Sequence, residues 1–584
     1  MPPRRNLKRH NEDDARRPNK RAGKNKRNPT YDTYDEALDG GVEQEEKGER
    51  YRDGEKSQRF YERAIELYTK AAELQETYDA VYNKARALYT LATDFFLPPS
   101  SLPLFRESIT LYQKANDLTN SPLLRMDVAF NLSQTFTTLA DVLEDLQTDD
   151  DTDKDEVVRK LRCDARDTLA EVMDGQEAFL RTVAMQEGGE TDEASEEATE
   201  ALEGSAEGEG MEVDAGSKEG EEGENSATFE THLPTPSTFI DTVVTLMDIH
   251  LTLWESVPTP QPPTEDEQIA VRVILDRAAA IAPEEKQPEL LLLEIKVLLA
   301  MDRLIWDAYK GEAKAGSGVE RSLDGAVAAL GKVLESLTGA AGEDSHLRAE
   351  IITTLADTHM TIANRLAFLS TQLPPGPSSL AQDAWLHLTE ATNHLTTAAD
   401  LPTDGNTPRT FKPSIFLSLS KASLARAKLS EVNDAAKRNV VQLFDNAATY
   451  AGRAGETLGW KFVRIGPAPA STGGVLSIGG SSIGGSDLPY QAGWESELLG
   501  RSIALQQLRV CFYATQTGLI PSESLVKYQE GSTKLLVKLK ALPEGERKIG
   551  RKDVERWVGE IENEGEMGEV EKTWWNELKS ELQS

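Results

Sequence analysis

The sequence predicts an all-α protein, a solenoid of helical hairpins with a disordered basic N-terminal tail and a disordered acidic insertion. Three observations predict it. Apolar residues recur three or four apart through one segment after another, and no stretch alternates as a strand would. Small residues stand at fixed offsets from large ones, the spacing that lets helices cross closely. Low-complexity charged or Gly/Ser-rich stretches separate the helical blocks. A length of 584 residues suits one elongated array or three to four ordinary domains.

The chain opens on a basic tail. Residues 1–29 hold eleven Lys or Arg against three acids. The pairs Arg4-Arg5, Lys8-Arg9, Arg16-Arg17 and Lys20-Arg21, followed by Lys24, Lys26 and Arg27, read as a bipartite nuclear localisation signal. The same residues would serve a nucleic-acid arm, or a basic tail with no address. Residues 30–55 are polar and acidic, so residues 1–55 together read as tail and linker.

From 56 to 185 the pattern is helical. "SQRFYERAIELYTKAAELQ" puts Phe60, Ala64, Leu67, Tyr68 and Ala71 on one stripe. "YDAVYNKARALY", from Tyr78 to Tyr89, follows a short turn and makes a hairpin with it. "FFLPPSSLPLF" is a proline-broken loop. Helices follow in "FRESITLYQKANDL" and "LLRMDVAFNLSQTFTTLADVLEDL". From Gln186 to Glu230 there are 17 acids, one Lys and no apolar period. Such a segment buries too little surface to offset the entropy of ordering it, so 186–235 reads as a disordered acidic insertion. Helices resume over 236–460, beginning with "FIDTVVTLMDIHLTLWESV" and including 320–338, 345–372, 379–400, 411–430 and 434–456. A Gly/Ser-rich loop fills 461–490. The C-terminal block, 491–584, reads as helices over 491–518, 522–541 and 551–582.

Composition narrows the function. A net charge of −35 disfavours nucleic acid as the main partner, since phosphate would be repelled, and favours a basic one. Cys163 and Cys511 are isolated, so neither a disulfide framework nor a cysteine zinc site is expected, which fits a reducing compartment. No apolar run reaches the about 18 residues of a membrane span, and no secretory apolar segment is read at the amino terminus. His10, His232, His250, His346, His359, His387 and His394 form no HExxH spacing; His387 and His394 share a helix face without a completing ligand. "GSSIG" around Ser482 matches GxSxG formally but lacks the strand and helix that motif needs. The "GGVLSIGGSSIGGSD" run lacks the lysine of a phosphate loop. Hence no catalytic residue, metal or cofactor is assigned, and the chain is not read as an enzyme.

The repeat signal is more informative. Ala64, Tyr68 and Ala71 have the small–large–small spacing of a second hairpin helix, as do Ser108, Tyr112 and Ala115, then Val271, Leu275, Ala278 with Pro283, and Ala391, Leu395 and Ala398. First-helix spacing appears in Tyr82, Ala85 and Tyr89, in Leu132, Ser133 and Phe136, in Ile352, Leu355, Ala356 and His359, and in Phe416, Leu419 and Ser420, where Ser423 replaces the aromatic. Over roughly 56–460 these residues resemble tetratricopeptide repeats. The clearest units are 44 to 47 residues apart, longer than the usual spacing of about 34, because the proline loop intervenes.

The resemblance implies a non-enzymatic, protein-binding groove. Asn83, Arg86 and Asn131 are its candidate groove residues; Asn83 and Arg86 either line the groove or face water. Trp574 and Trp575 either anchor a terminal helix or form a partner-binding patch. An acidic tract interrupting such an array, with a basic tail, is similar in layout to nuclear histone chaperones of the nuclear autoantigenic sperm protein class and to ribosomal-protein chaperones. That similarity implies a nuclear chaperone or adaptor, one that could shuttle with the cytoplasm, for a basic client such as a histone or ribosomal protein. The other reading is a scaffold subunit of a larger nuclear or cytoplasmic complex without a basic client.

Overall fold

The structure is a computed structural model. It describes residues 31–51, 54–146, 154–188, 233–255, 262–309, 311–313, 321–337, 345–373, 378–403, 407–460, 494–541, 549–563 and 567–581. Eighteen helices run through these residues, and none of these residues forms a strand. In order they are α1 (Tyr34–Tyr51), α2 (Glu55–Leu74), α3 (Tyr78–Asp94), α4 (Leu102–Leu118), α5 (Pro122–Asp145), α6 (Lys154–Gly188), α7 (Pro236–Glu255), α8 (Glu265–Ile281) and α9 (Gln287–Tyr309). Then come α10 (Asp324–Leu337), α11 (Ser345–Ser370), α12 (Ser379–Asp400), α13 (Phe411–Lys428), α14 (Asp434–Thr457), α15 (Trp494–Gln516), α16 (Ser522–Ala541), α17 (Arg551–Asn563) and α18 (Glu569–Glu581).

Consecutive helices pack as hairpins, most extensively α1 with α2, α3 with α4, α5 with α6, α11 with α12 and α13 with α14. Each odd helix also touches the next odd helix in α3–α5, α7–α9, α9–α11, α11–α13, α13–α15 and α15–α17. This is a tetratricopeptide-like solenoid, with the odd helices as its inner row and the even helices behind them. Every residue set with first-helix spacing falls on an odd helix, α3, α5, α11 or α13. Every set with second-helix spacing falls on an even one, α2, α4, α8 or α12.

The small residues do what their spacing implies. Ala64, Ala71, Ala85, Ala115, Ala278, Ala391 and Ala398 are wholly buried at helix crossings. Buried serines add a polar stitch inside four hairpins. Ser57 Oγ donates to the Gly48 carbonyl (2.7 Å), Ser108 to Ala85 (2.9 Å), Ser133 to Ala165 (2.9 Å) and Ser420 to Ala447 (2.8 Å). A serine fits where an alanine would and satisfies its hydroxyl on the facing backbone.

The structure corrects several expectations. Residues 30–55 are not simply a linker, because α1 occupies 34–51 and packs on α2. Its apolar content is low because its contact face is built from Ala37, Gly40, Gly41 and Gly48, over which the rings of Tyr31, Tyr68 and Tyr61 lie. The expected helix over 551–582 is two helices, α17 and α18, packed on each other. The 35-residue α6, which had no stated place in the helix order, packs on both α5 and α7. The acidic tract Gln186–Glu230 lies outside the described residues beyond its first three positions, which complete α6. The basic tail residues Arg4 to Arg27 and the Gly/Ser-rich stretch with Ser482 also lie outside them.

The C-terminal block surrounds α15 with α13, α14, α16 and α17. Arg509 and Glu571, 0% and 1% exposed, form its buried ion pair at 2.6 Å. Tyr513 Oη (2.5 Å) and Trp575 Nε1 (3.2 Å) also donate to Glu571. Cys511 is buried beside them, and that burial pushes its thiol up to about 12.

Candidate functional site

The inner row begins with a polar network joining α1, α3 and α5. Glu45 on α1 is 5% exposed. It accepts from Tyr68 Oη at 2.7 Å and pairs with Arg86 Nη2 at 3.0 Å. Burial works against the Arg86 charge, but Glu45 outweighs it and holds the guanidinium firmly protonated. Tyr82 stacks on Tyr78, and its hydroxyl accepts from Asn131 Nδ2 at 3.0 Å. Tyr89 and Thr138 share a hydroxyl bond of 3.0 Å about two turns further along.

Two of the candidate groove residues therefore meet this network. Arg86 reaches toward α1, and Asn131 is half-buried between Tyr82 and its own helix carbonyl at Asp127. Asn83 is 2% exposed, inside the packing of α3 and away from any bound chain. The helical phase puts it on the core side, which short-range spacing around a small polar residue does not reveal. Trp575 is wholly buried, and Trp574 is half-buried and stacked on Phe512 of α15 at 4.6 Å. Both indoles thus anchor α18 to α15.

A second group of inner-row residues escaped the sequence reading. Glu49 on α1, Asp79 and Asp94 on α3, Asp141 and Asp145 on α5, and Asp248 on α7 all have carboxyls raised above their ordinary range. Burial is the first cause in each, and Asp145 is pushed up to about 6. All six stand on odd helices. The side chains of Asp94, Asp141 and Asp248 nonetheless remain open to water. The available signal was acids on the polar face of helices whose other face has first-helix spacing. Cations already meet this row: besides Arg86, Arg162 of α6 pairs with Asp141 at 3.0 Å, Lys296 on α9 bonds Glu350 on α11 at 2.5 Å, and Arg303 pairs with Glu255 on α7 at 3.0 Å.

Further along, His359 on α11 meets His387 and His394 on α12. The Nδ1 atoms of His359 and His387 are 2.8 Å apart, and the His394 ring stacks on His359 with 5.7 Å between centroids. Burial lowers all three, and its neighbouring imidazoles help bring His359 to about 4. Among the described residues no group of three or more His, Cys, Asp or Glu is arranged to hold a metal ion. No described helix is long and apolar enough to cross a membrane.

The inner row offers ionic and hydrogen-bonding side chains on a helical framework. No protein-family model matches the chain. No curated protein matches it. Among solved structures, the crystal structure of yeast Tom70 is similar to this chain at 11% identity, covering 85% of this chain and 96% of that one, with a TM-score of 0.12.

Proposed function

We propose that the chain is a nuclear chaperone or adaptor that holds a basic client, a histone or ribosomal protein, along the odd-helix face, with the Gln186–Glu230 tract adding negative charge. The observation supporting this is the row Glu49, Asp79, Asp94, Asp141, Asp145 and Asp248. Carboxylates crowded until their ionisation is disfavoured gain more from an arriving Lys or Arg than fully solvated ones do. The tail from Arg4 to Arg27 would supply nuclear import. The test is titration of core histones into the full chain and into the triple variant Asp94→Asn, Asp141→Asn, Asp248→Asn. The variant should bind about tenfold more weakly, and wild-type affinity should fall steeply with salt. Equal affinity for both, or binding indifferent to salt, would sink the reading.

One observation favours a scaffold instead. Leu291, Leu298 and Ile305 stand seven apart on α9, each about half exposed, and form an apolar seam. Salt-resistant association abolished by Leu298→Asp would support that role.

A further inference from the structure

The acidic face is not empty at its α3–α5 end. Trp494, the first residue of α15, packs against the cluster of Ala92, Phe105, Leu139 and Val142, which belongs to α3, α4 and α5. Tyr89, Leu143 and Leu146 border the same cluster. This brings residues from opposite ends of the array together. The next residue, Glu495, acts electrostatically on Asp94 and Tyr89, and Arg556 of α17 acts on Asp145. Arg501 ties Trp494 to α17, lying over the Trp494 ring at 5.4 Å and pairing with Asp553 at 2.8 Å.

This internal occupant shows what the surface accepts. It takes a bulky indole in an apolar notch and a cation beside Asp145. It is also imperfect, since exposed Glu495 stands by Asp94, a carboxylate against a carboxylate. A Lys or Arg in that place would turn repulsion into attraction.

We propose that the α3–α5 end of the acidic face binds a client segment carrying an aromatic side chain flanked by Lys or Arg, and that this segment displaces Trp494 and its neighbours. The inference rests on the basic-client reading and adds the aromatic anchor and the competition. The chain's own segment is a weaker copy of the client, seated until the client arrives. Entry of the client would free α15's first turn from the N-terminal hairpins without breaking the packing of α15 on α13 and α14.

The test uses the full chain and two labelled peptides, one with a single Trp between paired arginines and the same peptide with Gly for Trp. Wild type should bind the Trp peptide about tenfold more tightly than the Gly peptide. Trp494→Ala should strengthen Trp-peptide binding by removing the competitor. Glu495→Arg, at an exposed position that leaves folding intact, should weaken it about tenfold by pairing with Asp94 and tightening the closure. The opposite signs separate competition from misfolding. If both variants bind the Trp peptide like wild type while the triple Asp→Asn variant loses affinity, the displacement idea fails and the acidic-face reading survives. If no peptide binds wild type or Trp494→Ala, both fail.

Discussion

At the scale of the residue, neutrality matters as much as charge. His359, His387 and His394 crowd together, and burial disfavours the cation on each. Asp324, Asp383 and Glu390 face His387 and only partly offset this. The folded pKa lies below the unfolded value of about 6.5, so the unfolded chain takes up protons first. The contribution of His359 to stability is complete above pH of about 6.5 and is lost as pH falls toward about 4, and His387 and His394 act in the same direction. Thermal unfolding followed by circular dichroism should therefore show a lower midpoint near pH 4.5 than near pH 7.5, and His359→Asn should flatten that difference. Histidine spacing showed that His387 and His394 share a face. It was silent about His359, because the third ring comes from another helix and only hairpin packing brings it in. Asn83 failed for a related reason: a polar residue beside aromatics reads as surface until the helix phase is known.

At the scale of the element, hairpin parity was legible because crossing helices need small residues at regular offsets. Ala64, Ala85 and Ser133 report it directly. α1 was not legible, because glycine supplies its contact face and registers as neither apolar nor helix-forming. The glycines are there for clearance. A Cβ on Gly48 would lie 2.8 Å from the Tyr61 ring, and one on Gly41 would run into the Tyr68 ring. Gly41→Ala should therefore cost about 1–3 kcal/mol despite alanine's better helix propensity. Hydrogen exchange should localise the loss to α1 and α2. A stabilised variant would show that the ring of Tyr68 moves aside freely. α15 was placed by sequence but not oriented. A helix buried on all sides, with Gln506, Gln507 and Arg509 in its interior, has no polar face from which to read a direction.

At the scale of the whole molecule, an open solenoid would let its ends unfold independently, because each hairpin touches only its neighbours. The contact of Trp494 with the α3–α5 cluster closes the array and ties the first hairpins to the last. Calorimetry should show one broad coupled transition for wild type, and Trp494→Ala should split it into separate N-terminal and C-terminal transitions. A single unchanged transition in the variant would mean that the ends are coupled by another route. Neither composition nor periodicity foretold the closure. It joins positions about 390 residues apart, Phe105 to Trp494, and a pattern of local spacing holds no information about such a pair.

That separation has a consequence during synthesis. At about 5–20 residues per second, α1 to α5 leave the ribosome roughly 20–70 seconds before Trp494 is made. For that interval the α3–α5 end of the acidic face is made and uncovered. On the proposed reading, a newly made basic protein nearby would meet it with no competitor in place, whereas one arriving after termination would first have to dislodge the indole. The timing of the two polypeptides' birth, and not affinity alone, would then decide which clients are captured.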